Sequence, residues 1–283
     1  MQVLVRPHSG GWEGVTVQDH IHRFRHHDIE GAIIRVLEDE ELTVNEFLSE
    51  EHQLEDGNVY EFAYTCCYLK HRGKHILVDA GFDPDTTPGA LESIDVFPED
   101  IDLVLLTHAD RDHVAGVLMH DGTLTYPHAR HVISKQVWEH LSDPSTLEAL
   151  DDERRAFYHK LARALDSSIE LIDDESDIAD GIRFIPHDGH RAGHAVYEFS
   201  SSETPLIHSG DAFFHPIFAE HPDWANLTDS APELAVESRK NLVERASTSA
   251  ALILSTHIPF PGIGQIRKLD ELLYQWIPIE LGF

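Results

Sequence analysis

Short runs of apolar residues, bounded by glycine or charged residues, recur along the chain from Tyr60 onward. Runs of this length are typical of buried strands. The runs at residues 60–69 and 75–79 flank the turn sequence HRGK and predict a strand–turn–strand unit. The remaining runs predict further strands over residues 103–107, 130–134, 182–186, 195–200, 206–209 and 251–256.

Helices and strands alternate in this pattern, which predicts a single α/β unit. Residues 143–166 are polar and compatible with a helix beginning at Asp143-Pro144, and residues 233–246 predict a second helix. Residues 29–54 mix apolar and acidic positions with some helical character, but no clear period emerges. Since no Ser/Gly/Pro-rich linker or repeat divides the chain, we predict an N-terminal extension (residues 1–55) packed on or near a catalytic domain (residues 56–283).

The net charge of the chain limits the classes of partner that it can bind. Its 283 residues carry 51 acidic and 21 basic side chains, a formal net charge of −30. This charge repels phosphate backbones and anionic lipid headgroups, so we expect no nucleic-acid partner and no membrane attachment. No apolar run approaches the ~18 residues of a membrane span, and residues 1–10 lack the apolar core of a signal peptide, so a cytoplasmic location is expected.

The excess of acidic over basic residues also points to a salt-rich environment. Only 6 of the 21 cationic side chains are lysines. A lysine-poor, acid-rich surface suits a salt-loaded cytoplasm, where screening suppresses self-repulsion. We therefore hypothesise a halophilic source; the alternative is an ordinary acidic enzyme.

The two cysteines, Cys66 and Cys67, are adjacent in a predicted strand. Neighbours on a strand point to opposite faces, so the pair is poorly placed to form a disulfide and lacks metal-ligand spacing. We expect two small buried residues.

Candidate chemistry concentrates in the segment THADRDHVAG, residues 107–116. His108, Asp110, Asp112 and His113 follow an apolar strand and precede a predicted helix, so they lie on the turn between them. Imidazole and carboxylate groups at this density suit zinc, iron or manganese. The alternative is a solvated acidic turn.

Three more polar residues each follow a predicted strand. These are His190 in HDGHRAGH, Asp211 in HSGDAFFH and His257 in STHIPFPG. Glycine or small residues stand beside each, where the backbone can approach a ligand closely. Four strand ends would thus bring seven ligands to one edge of the core, enough for two metals with one shared carboxylate.

The order of these residues resembles the metallo-β-lactamase superfamily. The phrases LVDAGF, GDAFFHP and THIPFPGIG resemble its lactonase and methyl-parathion-hydrolase-like branch. The resemblance runs from about residue 60 to residue 268 and implies a four-layer αβ/βα sandwich with a dinuclear metal site on one edge. It also implies that His108, Asp110 and His190 hold the first metal, that Asp112, His113 and His257 hold the second, and that Asp211 bridges them.

One position departs from the pattern of the family. The usual second histidine of the HxHxDH motif is Asp110 here. A carboxylate adds negative charge and a harder ligand, which shifts preference from zinc, the metal that the resemblance implies, towards iron or manganese. A carboxylate here also resembles the iron-binding flavodiiron branch, whose flavin domain does not fit in this chain.

The resemblance implies a metal-dependent hydrolase acting on a lactone or other small carboxylic ester through a hydroxide that bridges two divalent metal ions. Asp112 is the candidate to shuttle the proton to the leaving group. His215 and Phe214, which follow Asp211, and Phe260 in the PFPGIG loop are predicted to contact substrate. Asp79 is expected to support the site through hydrogen bonds.

Two alternatives stay open at this stage. One is an iron-dependent oxidoreductase on the same fold, and the other is a weakly metal-binding relative without catalysis. The expected partner is a small-molecule ester, and the sequence allows a homodimer without requiring one.

Overall fold

A computed structural model describes residues 20–55, 59–270 and 273–282 of the chain. The expectations for residues 1–10, and for the first part of the N-terminal extension, lie outside these residues. In chain order, the strands are β1 (Ile21–His26), β2 (Ile29–Arg35), β3 (Glu40–Thr43), β4 (Val59–Phe62), β5 (Thr65–His71), β6 (Lys74–Val78), β7 (Leu103–Leu105), β8 (Arg130–Ser134), β9 (Ile169–Ile172), β10 (Ser176–Ala179), β11 (Ile182–Pro186), β12 (Ala195–Phe199), β13 (Leu206–His208), β14 (Leu252–Leu254), β15 (Ile263–Asp270) and β16 (Leu273–Pro278).

The α-helices pack against the outer faces of the strands. Among the described residues, no helix is long and apolar enough to cross a membrane. In chain order they are α1 (Thr86–Glu92), α2 (Arg111–Val114), α3 (Lys135–Ser142), α4 (Pro144–Glu148), α5 (Asp152–Leu165), α6 (Pro216–Glu220) and α7 (Pro232–Ser249).

Two seven-stranded sheets form the centre of the molecule. The first has the order β1-β2-β5-β6-β7-β8-β9, and its second half, from β6 to β9, is parallel. The second has the order β10-β11-β12-β13-β14-β15-β16, with β13 and β14 parallel and the other neighbours antiparallel. Strands β3 and β4 form a separate hairpin.

Alternate residues of each strand serve two different cores. In β7, Leu103 and Leu105 point into the core between the sheets, whereas Val104 belongs to the core that packs against helices. Because successive side chains on a strand face opposite sides, a fully apolar run can fill both cores. The result is helix, sheet, sheet, helix, which confirms the predicted four-layer αβ/βα sandwich.

Most of the predicted strands are present, and two predicted elements are divided. The predicted strand at 60–69 is split at residues 63–64 into β4 and β5. The predicted helix at 143–166 is split into α4 and α5, since Asp143 accepts the backbone N–H of Ser145 and Asp151 accepts that of Arg154. Two capping aspartates thus begin two helices, whereas the sequence predicts a helix start only at the first of them.

The helical character suggested for residues 29–54 is wrong for the strand Ile29–Arg35. This strand, β2, lies between β1 and β5 and pairs with both in antiparallel register. Its apolar residues are buried on both faces, a pattern that local periodicity cannot distinguish from a buried helix. The segment that precedes the strands predicted from residue 60 onward therefore extends the first sheet.

Both cysteines lie in β5, buried and unpaired. Cys66 faces the helix-side core and Cys67 the core between the sheets, as the sequence predicted. Burial raises the pKa of the Cys66 thiol to about 12, so the thiol stays protonated at neutral pH.

Candidate metal centre

The seven predicted ligands stand at the ends of strands, along one edge of the sandwich. His108, Asp110, Asp112 and His113 follow β7, and Asp110 is the residue directly before α2. His190 lies between β11 and β12, and the remaining two, Asp211 and His257, follow β13 and β14. Since β13 and β14 are parallel, their carboxyl ends deliver Asp211 and His257 to the same edge.

The structure brings these side chains together in three overlapping groups. In each group the candidate ligand atoms lie within 4.8 Å of one another. The groups are His108 with Asp110 and His190; His108 with His113 and Asp211; and Asp112 with His113 and His257. The first and third are the two triads that the resemblance implied.

Asp211 lies at the centre of the cluster. Its Oδ1 is 3.2 Å from Nε2 of His113, and its Oδ2 is 3.3 Å from Nε2 of His190 and 3.2 Å from Nε2 of His257. Nε2 of His108 is 3.7 Å from the same Oδ2. One carboxylate thus faces an imidazole from each ligand loop, as a carboxylate shared between two cations would.

The Nδ1 atom of each of the four histidines has a hydrogen-bond acceptor. For His108 this is Thr107 Oγ1 at 3.0 Å, and for His257 it is the backbone carbonyl of Ala63 at 2.8 Å. His113 donates to Asp79 at 2.7 Å, and His190 donates to Asp229 at 3.1 Å. A proton on Nδ1 leaves Nε2 of each neutral ring as a lone pair directed into the cluster.

Within the described part of the chain, these inward nitrogens lack ordinary partners. Nε2 of His108, His113 and His190, together with Oδ1 of Asp211, are buried without a hydrogen bond. Burying several such atoms in one place is costly unless something binds them. A divalent cation coordinated by imidazole and carboxylate satisfies all of them, so the donor set fits a metal centre.

Asp112 closes the second triad. Its Oδ2 is 3.4 Å from Nε2 of His113 and 3.5 Å from Nε2 of His257. Burial alone would raise the pKa of Asp112, but the neighbouring imidazoles outweigh burial and hold the pKa below its usual value. Asp112 is therefore a carboxylate at neutral pH.

Asp79 supports two ligands, as the sequence analysis expected. It accepts hydrogen bonds from the backbone N–H and the hydroxyl of Thr107 as well as from His113. The chain turns sharply here, with φ +57° at Asp79. A Cβ added to Gly116 would stand 2.1 Å from the carbonyl oxygen of Ala80, so glycine is needed just after α2, where the chain packs against this turn.

Sequence reasoning missed the support of His190. Asp229 accepts from Nδ1 of His190 with one oxygen and from the guanidinium of Arg239 with the other, at 2.9 Å. Arg239 is fully buried on α7 and also donates to the carbonyls of Ala212 and Trp224. Its position on the otherwise apolar face of α7 was the available signal, because a lone arginine on a buried stripe needs a partner.

Asp110, the residue that departs from the family pattern, pairs with Arg191, a second partner that sequence reasoning missed. The guanidinium meets the carboxylate with Nε 3.1 Å from Oδ1 and Nη2 2.7 Å from Oδ2. Burial by itself would raise the pKa of Asp110, but His108 and Arg191 lower it well below the usual range. Oδ2 also faces Nε2 of His108 and His190, at 3.7 and 3.9 Å.

The backbone at Asp211 is fixed by His194. The N–H of Asp211 donates to Nε2 of His194 at 3.1 Å, and Nδ1 of His194 lies 3.2 Å from the carbonyl oxygen of His187. Gly210 has φ +49°, and a Cβ there would be 2.7 Å from Nε2 of His194. His194 therefore holds the loop that presents Asp211.

An aromatic wall made of Phe62, Tyr64 and Phe214 borders the second triad. Phe62 stacks on the ring of His257 with centroids 4.3 Å apart, and Tyr64 meets the same ring edge-on. Phe214 stands edge-on to both His190 and His257, at 5.3 and 5.1 Å. Phe214 thus lies beside the ligands, and its contact with substrate stays a prediction.

The other two predicted substrate residues have different neighbours. His215 caps α6 by accepting the N–H of Ile217, and its ring contacts Tyr60. Phe260 lies under the guanidinium of Arg35, 4.3 Å from the ring centre, and edge-on to His22. Their contact with substrate stays a prediction.

Sequence similarity relates the chain to known proteins. A sequence profile described as the metallo-beta-lactamase superfamily matches residues 59–257, more than half of the chain. A probable metallo-hydrolase of Mycobacterium tuberculosis (strain ATCC 25618 / H37Rv) is 27% identical over 154 residues, 50% of this chain and 46% of that protein. The endoribonuclease YSH1 of Mycosarcoma maydis is 29% identical over 192 residues, 64% of this chain and 21% of that protein. The matches therefore span about half or less of these curated relatives.

Solved structures agree on the fold. A hydrolase called AbOPH, in the beta lactamase superfamily, is 23% identical with a TM-score of 0.77, covering 93% of this chain and 99% of its own. AidC, a dizinc quorum-quenching lactonase, is 21% identical with a TM-score of 0.79, covering 93% and 98%. With the profile match over residues 59–257 and this architecture, the chain belongs to the metallo-beta-lactamase superfamily.

Proposed function

We propose that this protein is a metal-dependent hydrolase of lactones or other small carboxylic esters, with two divalent cations held by the seven side chains of the cluster. That the chain is a metallo-hydrolase of this superfamily follows from the family and from the candidate metal sites. The ester class and zinc as the resident metal are part of the proposal.

One observation carries the proposal. Four imidazoles with occupied Nδ1 atoms aim Nε2 at a single carboxylate, Asp211, on the edge where four loops meet. A solvated acidic turn, the alternative considered above, would not bury three of these nitrogens without partners. The first cation would take His108, Asp110 and His190, the second would take Asp112, His113 and His257, and Asp211 would serve both.

When bound, two such cations polarise the ester carbonyl and acidify a water molecule near neutral pH. The chain's own groups then handle the proton. The Asp112 carboxylate, about one-fifth exposed, accepts a proton from the attacking water and returns it to the leaving oxygen as the acyl C–O bond breaks. The hydrogen bonds at Nδ1 keep the four rings in the orientation that this geometry needs.

The surroundings of the site support a small substrate of low charge. Phe62, Tyr64 and Phe214 offer apolar contact beside the second triad. The net charge of −30 disfavours a polyanion, so the endoribonuclease activity named for a relative is not proposed here. The lactonase named among the structural neighbours supports the ester class.

Metal analysis and a substrate panel test the proposal together. Protein purified in high salt without chelators should contain close to two equivalents of divalent metal and should hydrolyse at least one member of a lactone, carboxylic ester and phosphotriester panel. A chelator should abolish turnover, and adding back Zn²⁺, Mn²⁺ or Fe²⁺ should identify the working metal.

A short RNA in the same panel serves as the contrasting substrate. Hydrolysis of RNA but of no ester would contradict the proposed substrate class. Stoichiometric iron with oxygen consumption and no hydrolysis would instead favour the oxidoreductase alternative. Substoichiometric metal with no turnover on any substrate would favour the non-catalytic alternative.

A further inference from the structure

The residue that departs from the family pattern, Asp110, meets a planar arginine fork. Nε and Nη2 of Arg191 contact Oδ1 and Oδ2 of Asp110 at 3.1 and 2.7 Å. Arg191 directly follows His190 in the chain, so one loop supplies both a candidate ligand and the partner of another ligand. Both side chains are about one-third exposed, which places the pair at the rim of the first triad.

The guanidinium is nearly filled by protein acceptors. An arginine has five N–H donors. Nη1 donates to the carbonyls of His190 and Thr228, at 2.8 and 2.9 Å, while Nε and Nη2 donate to Asp110. At most one N–H remains for a substrate, so the geometry favours a role in holding Asp110 over a role in binding an anionic substrate.

The guanidinium of Arg191 also determines which oxygen of Asp110 is available to a cation. Oδ1 is directed to Nε of Arg191, whereas Oδ2 faces Nε2 of both His108 and His190. A carboxylate oxygen has two lone pairs, so Oδ2 can accept from Arg191 and still bind a cation. Arg191 also offsets one negative charge where Asp110, Asp112 and Asp211 together would bring three.

We propose that Arg191 is a positioning residue that converts Asp110 into a ligand equivalent to a neutral imidazole. The pair carries no net charge and presents one oxygen to the first cation position, as a histidine would present one nitrogen. Arg191 therefore sets the affinity of that position only because residue 110 is an aspartate. This inference rests on the metal centre of the proposed function.

A double-mutant cycle in the full chain tests it, with Zn²⁺ and Mn²⁺ affinities measured by titration against a chromophoric chelator. Arg191→Gln should weaken one of the two sites, the one that Asp110 serves, by roughly 10–100-fold, the usual cost of losing a partner of a metal ligand. In the background of Asp110→His, the same Arg191→Gln change should cost nothing or should strengthen binding, because the guanidinium then has no carboxylate to hold and repels the cation.

Arg183→Gln is the matched control. Its guanidinium also bonds an aspartate through Nε, at 2.8 Å from Asp177, but on an exposed surface away from the cluster. Metal affinity should be unchanged in this variant.

The sign of the effect separates the two explanations of Arg191. If Arg191 merely braced the His190 loop through the carbonyls of His190 and Thr228, its loss would cost the same with Asp110 and with His at that position. Equal costs would overturn the inference. A sign reversal without ester hydrolysis by the wild-type protein would support the inference and contradict the proposed function, whereas a wild-type chain that binds no metal would overturn both.

Discussion

At the scale of single residues, the site depends on protons that the structure assigns to particular nitrogens. Each of the four ligand histidines donates a hydrogen bond from Nδ1, and the acceptors are Thr107, Asp79, Asp229 and the carbonyl of Ala63. These acceptors determine which nitrogen of each ring can bind a cation. Seven ligands in a sequence are therefore only half of the site; the other half is the set of groups that orient them.

Asp211 and Asp112 should differ in their effect on metal content. Asp211→Asn should lose metal from both positions, because Asp211 faces ligands of both triads. Asp112→Asn should retain the metal of the first triad and lose that of the second, leaving close to one equivalent. Elemental analysis after dialysis against metal-free buffer measures both.

Asp121→Asn is the surface control for these two variants, because Asp121 is exposed and bonds the nearby Thr123 in a turn. It should bind metal as the wild type does. Equal metal content in the Asp211 and Asp112 variants would contradict the shared position of Asp211.

At the scale of elements, helix α7 reaches into the site from outside the sandwich. Arg239 carries the buried contact between this helix and Asp229, and thereby supports His190. Helix α7 also packs Ala235, Leu242 and Ala246 into the protein. The same helix therefore provides both core packing and a charged support for a ligand loop.

Arg239→Leu should be strongly destabilising. It leaves the Asp229 carboxylate buried without a cation and the carbonyls of Ala212 and Trp224 without donors, at a cost of about 3–5 kcal/mol. Adding Asp229→Asn should recover part of this loss, because the uncompensated charge is gone. Urea denaturation of the metal-free protein measures the free energy of unfolding.

The control lies on the same helix. Arg245 bonds Glu198 and Glu175 at a partly exposed position, so Arg245→Leu should cost clearly less than Arg239→Leu. Similar losses for the two arginine variants would contradict the special position of Arg239.

Strand β8 contains a buried histidine that should make stability depend on pH. Burial lowers the pKa of His131 to about 4, from 6.5 in the unfolded chain. Below pH 6.5 the unfolded chain takes up a proton that the folded chain refuses, so this stability is complete above pH 6.5 and is lost as pH falls towards 4. Between pH 7 and pH 5 the loss is roughly 2 kcal/mol.

His131→Leu should therefore unfold at a temperature that falls less between pH 7 and pH 5 than that of the wild type, when both are free of metal. His128→Leu, a change at an exposed residue three positions earlier, serves as the control. An identical acid response in His131→Leu and the wild type would contradict the assignment.

At the scale of the whole molecule, the net charge of −30 is a property of the surface more than of the site. Three of the 51 acids belong to the candidate ligands, and bound cations would offset them. The remaining excess repels itself in dilute buffer, where the Debye length is about 10 Å at 0.1 M, and far less at 1 M, where it is about 3 Å. Stability should therefore depend on salt.

We expect the melting temperature to rise with KCl between 0.1 and 2 M, for both the metal-free and the metal-loaded protein. An uncharged solute at equal osmolality is the control, because it does not screen charge. Greatest stability in dilute buffer would contradict the hypothesis of a salt-adapted protein and would favour an ordinary acidic enzyme.

The sequence predicted the strands around the ligands well and the N-terminal part poorly. Short apolar runs such as Ile182–Pro186 are bounded by glycine and charge, so their ends are marked locally. The apolar run of Ile29–Arg35 continues into Val36 and Leu37, so its end is not marked locally, and it forms a strand with β1 and β5 on either side of it. A strand that depends on its neighbours in space leaves little trace in its own residues.

The sequence by itself determined the α/β class and the seven candidate ligands, because strand alternation and ligand type are local properties of a chain, and its resemblance to a known family added the four-layer arrangement and marked the aspartate at position 110 as unusual. Only the tertiary structure decided the partners of those ligands. Asp229 is 39 residues from His190, and Arg191 is 81 residues from Asp110. Contacts at such separations in the chain depend on how loops meet at the edge of two sheets, and no spacing in the sequence encodes that meeting.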